Sequence, residues 1–263
     1  MAGMRVALVQ LASATDATAN RTEITARLAK LDAADAIDLV VLPEAAMADF
    51  GPPDHDLAAV AEPLDGPFVQ LLGDEARRLG ATIIAGMFES TDEGLPFNTL
   101  AVVSPDGTLQ STYRKIHLFD SFGYRESDRL SPGAVEPVVV EIAGRSVGLM
   151  TCYDLRFPEH GRALAVAGAE LLVIPAAWVA GDHKVLQWRT LLSARAVENT
   201  VHVVAAAQCG VEYCGHSMAV DPWGEVLAEA GDDPITVVAD LGDDDVSRAR
   251  AVNPSLANRR IRA

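Results

Sequence analysis

The chain has 263 residues, and 49% of them are hydrophobic. That suits one large domain or two small ones with a sizeable apolar core. The formal net charge of −16 excludes an ordinary nucleic-acid binder, which needs a basic stripe to displace counterions; the one dense basic stretch, "NRRIRA", reads as a C-terminal tail over 251–263. No apolar run approaches the roughly 18 residues that span a bilayer, so no membrane partner is expected. "MAGMRVALVQLAS" lacks the basic start and long apolar centre of a signal peptide. Three cysteines without a CxxC pair disfavour a disulfide framework or a zinc site and suit a reducing compartment. The expectation is a cytoplasmic protein with no metal and no cofactor.

In chain order, residues 4–11 read as a strand. Residues 18–36 carry a helical pattern with Ile24, Leu28 and Leu31 on one face. "IDLVVLPE" reads as a buried strand that ends at Glu44. A helix is predicted over 67–79, closed by Gly80, followed by the strand "ATIIAGMFE". "FNTLAVVS" and "TLQSTYRK" form a hairpin, because Pro105 presets one turn residue and Gly107 supplies positive φ. Residues 117–136 read as loop. "VEPVVVEIAGRSVGLMTC" is a second hairpin ending at Cys152, and a helix follows from Pro158 to Ala167, with Gly168 as its stop. "ELLVIPAAW" is a strand and "DHKVLQWRTLLSARAVEN" an amphipathic helix. "TVHVVAAAQ", "GHSMAVDPWGEVLAEAG" and "ITVVADL" complete the strands. Helices alternate with strands early and hairpins are mixed in, which predicts an α/β layered domain with mixed sheets. No internal repeat or linker is visible, so a single domain over 4–250 is expected.

Three reactive side chains sit at strand ends: Glu44 after "DLVVLP", Lys115 after "TLQSTYR" and Cys152 after "SVGLMT". The crevice beyond strand ends is the usual ligand site of an α/β sheet. Each alone has an ordinary explanation, as a core thiol, a loop carboxylate or an edge lysine. If their strands are neighbours the three converge, and the trio then has the composition expected of a covalent hydrolase. The carboxylate takes the thiol proton, and the ammonium favours negative charge on sulfur and on the oxyanion formed by attack at a carbonyl or nitrile carbon.

The flanking motifs "LPEAAM", "YRKIHLFD" and "CYDLRFPE", in that order, resemble the nitrilase superfamily of carbon–nitrogen hydrolases. The resemblance runs from "ALVQL" through "GHSMAVDPWGEVLAEAG" to the last strand. It implies an αββα sandwich of two mixed sheets that dimerises to an αββααββα assembly. It places the family's catalytic Glu, Lys and Cys on Glu44, Lys115 and Cys152, a second glutamate on Glu126 in "GYRESDRLSPG", and an oxyanion-hole N–H on Tyr153. Asp154, Arg156 and Glu159 read as a polar network that fixes the corner; an alternative for Arg156 is to receive a substrate carboxylate. "CYDLRFPE" is similar to the amidase branch that includes omega-amidases and deaminated-glutathione amidases. The implied activity is hydrolysis of a small linear amide to an acid and ammonia through a cysteine thioester. Nitrilase or N-carbamoyl hydrolase chemistry on the same trio, a non-catalytic binding role and a redox-sensing thiol are the alternatives. Trp178 in "IPAAWVAGDHK" is expected in the pocket wall. Cys209 and Cys214 lack metal-ligand spacing. His216 and Ser217 match a structural motif of the family, and His117 is expected to buttress the lysine loop. His183 and Trp188 are placed on the long helix, where an exposed face could meet a second subunit. The three tryptophans read as packing residues.

Overall fold

The computed structural model describes residues 3–261. Its first half contains β1 (Met4–Val9), α1 (Ala17–Leu28), β2 (Leu39–Val41), α2 (Leu57–Val60), α3 (Pro67–Leu79), β3 (Thr82–Glu89), β4 (Phe97–Val103) and β5 (Leu109–Arg114). A small hairpin, β6 (Asp120–Ser121) and β7 (Tyr124–Arg125), follows. The second half contains β8 (Val139–Ile142), β9 (Arg145–Leu149), α4 (Pro158–Val166), β10 (Leu171–Val173), α5 (Lys184–Asn199), β11 (His202–Ala205), β12 (Met218–Val220) and β13 (Val226–Glu229). β14 (Thr236–Leu241) returns to the first half, and α6 (Asp245–Val252) follows it. α6 crosses the 250/251 boundary expected between domain and tail; residues 262 and 263 of that tail lie outside the described residues.

The strands form two six-stranded sheets, ordered β14-β1-β2-β3-β4-β5 and β13-β12-β11-β10-β9-β8. From β14, the first sheet pairs antiparallel, parallel, parallel, antiparallel, antiparallel. From β8, the second sheet repeats that pattern. The strand period of two sorts the side chains. Val6 and Leu8 face inward against Leu149, Leu171 and Val173 of the other sheet. Ala7 and Val9 face outward and are covered, with Val40 and Ile83, by Ile24 and Leu28 of α1 and Phe68 and Leu72 of α3. The outer face of the second sheet packs Leu172, Val203 and Ala205 against Leu164 of α4 and Trp188, Leu192 and Ala196 of α5. The layers are therefore α, β, β, α, as expected. No described helix is long and apolar enough to cross a membrane.

Local chemistry sets the boundaries. Asp16 caps α1 by accepting from the Thr18 and Ala19 amides. The helical pattern predicted to run to residue 36 stops at Leu28, because Asp32 starts a separate 3-10 turn at Ala33–Asp35 with its own capping box. Pro67 opens α3, and Gly80 closes it at φ 68°. The segment read as loop over 117–136 holds the β6–β7 hairpin and a 3-10 turn at Glu126–Asp128.

Candidate active site

Two backbone corners present the acid and the thiol. Past β2 the chain runs Leu42-Pro43-Glu44, and Ala45 turns it at φ 55°. Gly86 of β3 lies beneath this corner; a Cβ there would sit 2.6 Å from the Glu44 Cα. A glycine is required for so close an approach. Past β9 the chain runs Met150-Thr151-Cys152, and Cys152 itself takes φ 46°. A left-handed non-glycine residue costs roughly 1–2 kcal/mol, so its surroundings must hold it there. The Cys152 amide donates to the Pro175 carbonyl at 2.9 Å. Asp154 accepts from the Thr151 amide at 2.8 Å and donates its own amide back to the Thr151 carbonyl. A 3-10 turn over Cys152–Arg156 leads into α4.

Lys115 follows β5 by one residue. Its ammonium lies 2.8 Å from Glu44 Oε1 and 2.8 Å from Glu126 Oε2. All three side chains are buried. The Asn98 amide nitrogen donates to both carboxylates, at 2.8 Å to Glu44 and 3.0 Å to Glu126. The second Glu44 oxygen accepts the Ala177 amide at 2.7 Å, and Glu126 also accepts the Phe119 amide at 2.6 Å. Burial opposes the lysine charge, but Glu126 and Glu44 outweigh it and hold the Lys115 pKa well above its ordinary value. Burial, reinforced by the Glu44 charge, pushes the Cys152 thiol well up, and Lys115 only partly offsets this. The resting site therefore pairs a neutral thiol with a charged lysine.

These groups stand at the floor of a cavity of about 770 Å³. Trp178, expected in the pocket wall, lines it together with Tyr153, Arg156, Phe119, Phe122 and Tyr213. The Tyr153 ring stands edge-on between Phe119 and Phe157. Trp178 packs on Trp188 and donates its indole N–H to the Lys184 carbonyl.

A sequence model described as carbon-nitrogen hydrolase matches residues 5–251. The chain belongs to that family. It is 40% identical over 242 residues to a deaminated glutathione amidase of Escherichia coli O157:H7, covering 91% of each chain. It is 35% identical to an omega-amidase of Danio rerio, covering 92% of this chain and 89% of that one. Among solved structures, a mutant amidase from Nesterenkonia sp. AN1 superimposes with a TM-score of 0.84 at 29% identity, over 98% of this chain and 94% of that one. That structure shows covalent addition of the acetamide moiety of fluoroacetamide at its active-site cysteine. The protein is thus a hydrolase of carbon–nitrogen bonds, built as the family's mixed-sheet sandwich.

Within this carbon–nitrogen hydrolase, several side chains differ from their sequence reading. Arg156 is not part of the corner network: it donates to Gln187 at 2.7 Å and its guanidinium lies 4.7 Å from the Trp178 ring centre. Glu159 is exposed, because it faces outward from the first turn of α4. His183 precedes α5 as its N-cap, at φ 63°. Trp223 is half exposed in the turn after β12 rather than packed. His117 does brace the lysine loop, bonding Asp154 at 2.7 Å and stacking on Phe157. Ser217 is a buried cross-link between strands: it accepts the Ala207 amide and bonds Gln10. Cys209 and Cys214 are buried free thiols, pushed up by burial to about 11 and about 12.

The sequence reading missed Asn98 and Gln208 and undervalued Asp154. Gln208 donates to the Glu44 and Ala45 carbonyls and so pins the acid corner from the second sheet. Asp154 accepts from the Tyr113 hydroxyl at 2.6 Å, the His117 amide at 3.1 Å and the Thr151 amide. Tyr113 and His117 flank Lys115, and Thr151 precedes Cys152, so one buried carboxylate registers the lysine against the thiol. An Asn inside the apolar strand "FNTLAVV" was the available signal, since a polar residue buried in a strand must find partners.

Proposed function

We propose that the protein is a thiol amidase that hydrolyses a small linear amide to a carboxylic acid and ammonia, with Cys152 as nucleophile and Glu44 as proton carrier. The observation that carries this reading is the buried ion network in which Lys115 bridges Glu44 and Glu126 beside the strained Cys152 corner. Glu44 offers about four acceptor positions. Lys115, Asn98 and the Ala177 amide occupy three, which leaves one for the thiol proton.

In the first half-reaction Glu44 takes the proton from Cys152 as sulfur bonds to the amide carbon. The raised thiol pKa makes this transfer part of the attack rather than a prior ionisation. Lys115 and the Tyr153 amide stabilise the oxyanion. Glu44 then gives its proton to the amide nitrogen, the C–N bond breaks and ammonia leaves, with a thioester on Cys152. In the second half-reaction Glu44 takes a proton from water, hydroxide adds to the thioester, and collapse releases the acid. The proton on Glu44 returns to sulfur. Glu126 does no proton transfer here. It keeps Lys115 charged and aimed.

The relatives named for deaminated glutathione and for omega-amides support a linear substrate with a carboxylate at its far end, for which Arg156 and Trp178 supply the wall. A single hydrolase domain over 4–250, a homodimer and a cytoplasmic location belong to the same reading. Val166 of α4 and Val197 of α5 stay open to solvent in the single chain, which supports the paired assembly. The test is ammonia release from glutaramate with intact-mass analysis. Wild type should turn over with a transient acyl adduct on Cys152, and Glu44→Gln should lose both the adduct and the ammonia release, because Glu44 serves the acylation half-reaction as well. Full turnover by Cys152→Ala would refute the assignment.

A further inference from the structure

The cavity contains two lysines in opposite electrostatic states. Lys115 is held by two carboxylates. Lys184, the first residue of α5, also lines the cavity, and no described carboxylate oxygen comes within 4.0 Å of it. The same holds for Arg156, also on the cavity wall. The chain carries 37 acidic residues, and Asp182 and Glu212 line the same cavity, yet neither cation has a carboxylate partner among the described residues, which marks a place where counter-charge is left to something else. Asp49, which also lines the cavity, is engaged by the Tyr213 hydroxyl at 2.7 Å.

Lys184 is held in place rather than free in solvent. Its ammonium lies 4.3 Å from the Phe122 ring centre, 5.7 Å from Trp178 and 5.8 Å from Phe119. Its backbone carbonyl receives the Trp178 indole N–H. Burial, then the Arg156 charge, holds its pKa below the ordinary lysine value, as for a cation short of counter-charge. Arg156 is braced by Gln187 and the Trp178 ring. Two pre-positioned cations on the apolar aromatic wall of a cavity form a receptor for an anion.

We propose that Lys184 is a specificity-determining residue that, with Arg156, receives a carboxylate carried by the substrate at the end distal to the scissile amide. This rests on the amidase reading of the site. Lys184 would discriminate acidic amides from neutral ones of equal length, by strengthening binding of the acid.

The experiment compares kcat/KM for glutaramate and its uncharged counterpart pentanamide. In Lys184→Met the glutaramate/pentanamide ratio should fall by at least about tenfold, through KM, as expected for loss of a charge-assisted contact. Lys184→Arg should restore most of the ratio and shows that the position tolerates substitution. An unchanged ratio in Lys184→Met overturns the proposal. If wild type hydrolyses neither amide, the amidase reading fails for these compounds, and alkylation decides the question separately. Cys152 should react faster with N-iodoacetylglycine than with N-iodoacetylglycinamide, read on the Cys152 peptide by mass spectrometry, and Lys184→Met should abolish the difference. Equal rates in wild type would overturn the proposal.

Discussion

The two sheets share one pairing pattern but divide the chemistry. The first delivers the charges: Glu44 beyond β2, Lys115 beyond β5, and Asn98 within β4 to join the carboxylates. The second delivers the sulfur beyond β9, and the amide of Ala177 and side chain of Gln208 that pin Glu44. Each half uses the same device, a left-handed non-glycine residue at the corner, Ala45 in one and Cys152 in the other. The two corners are secured differently. The acid corner leans on the bare backbone of Gly86 and on the opposite sheet. The thiol corner is tied to the lysine of the opposite sheet through Asp154. Neither half has the whole cluster, so the proposed catalysis depends on how rigidly the sandwich holds the halves in register.

Removing one half's reactive group should have the largest effect. Lys115→Met deletes the proposed oxyanion partner and leaves two buried carboxylates facing each other, so kcat/KM should fall by roughly a thousandfold or more. A smaller loss, with Cys152 alkylation still near wild type, would mean that the charge network is structural. Asp154→Asn should come next. It keeps the shape but forfeits one acceptor, so the Thr151 and Tyr113 contacts compete. We expect kcat to fall by about 10–100-fold with KM little changed, and equal losses in both would make Asp154 a folding residue only.

A contact remote from the cavity tests the seam between the halves. His202 of β11 accepts from Arg145 at 3.2 Å and lies 3.3 Å from Asp245 of α6. Burial, aided by Arg145, lowers its pKa to about 4 from 6.5. The folded protein keeps this ring neutral while the unfolded chain protonates it below pH 6.5. The stability it contributes is therefore complete above pH 6.5 and is lost as pH falls toward 4. The amount is on the order of 3 kcal/mol. Urea unfolding across that window should show the slope, and His202→Leu should flatten it. Last, Gly86→Ala forces a methyl onto the Glu44 corner and should cost about 1–3 kcal/mol of stability. It should also slow turnover, whereas the same change at the exposed Gly94 should disturb the site by nothing measurable in kcat.

Much of this was legible in the chain because it is local. Short, nearly continuous apolar runs define β1 and β3. Pro67 and Gly80 bracket α3, and the motifs around Glu44, Lys115 and Cys152 name the reactive groups. Signals failed where a local pattern competed with another: Asp32 ended α1's stripe early, and the two-residue strands of the β6–β7 hairpin are too short to show a period. Asn98 was hidden because a single Asn in a strand carries no partner information. Gln208 stands 164 residues from Glu44, and no spacing rule reaches that far.

The sequence alone determined which elements form and which side chains can react, since both follow from backbone sterics, burial and functional-group chemistry within a few residues. Tertiary structure decided that these groups meet. Only packing two sheets face to face desolvates Lys115 between two carboxylates, raises the thiol pKa and places Lys184 on the cavity wall with no described carboxylate in ion-pair range. Each of those effects depends on distance and burial, which are properties of the assembled layers and of no single segment.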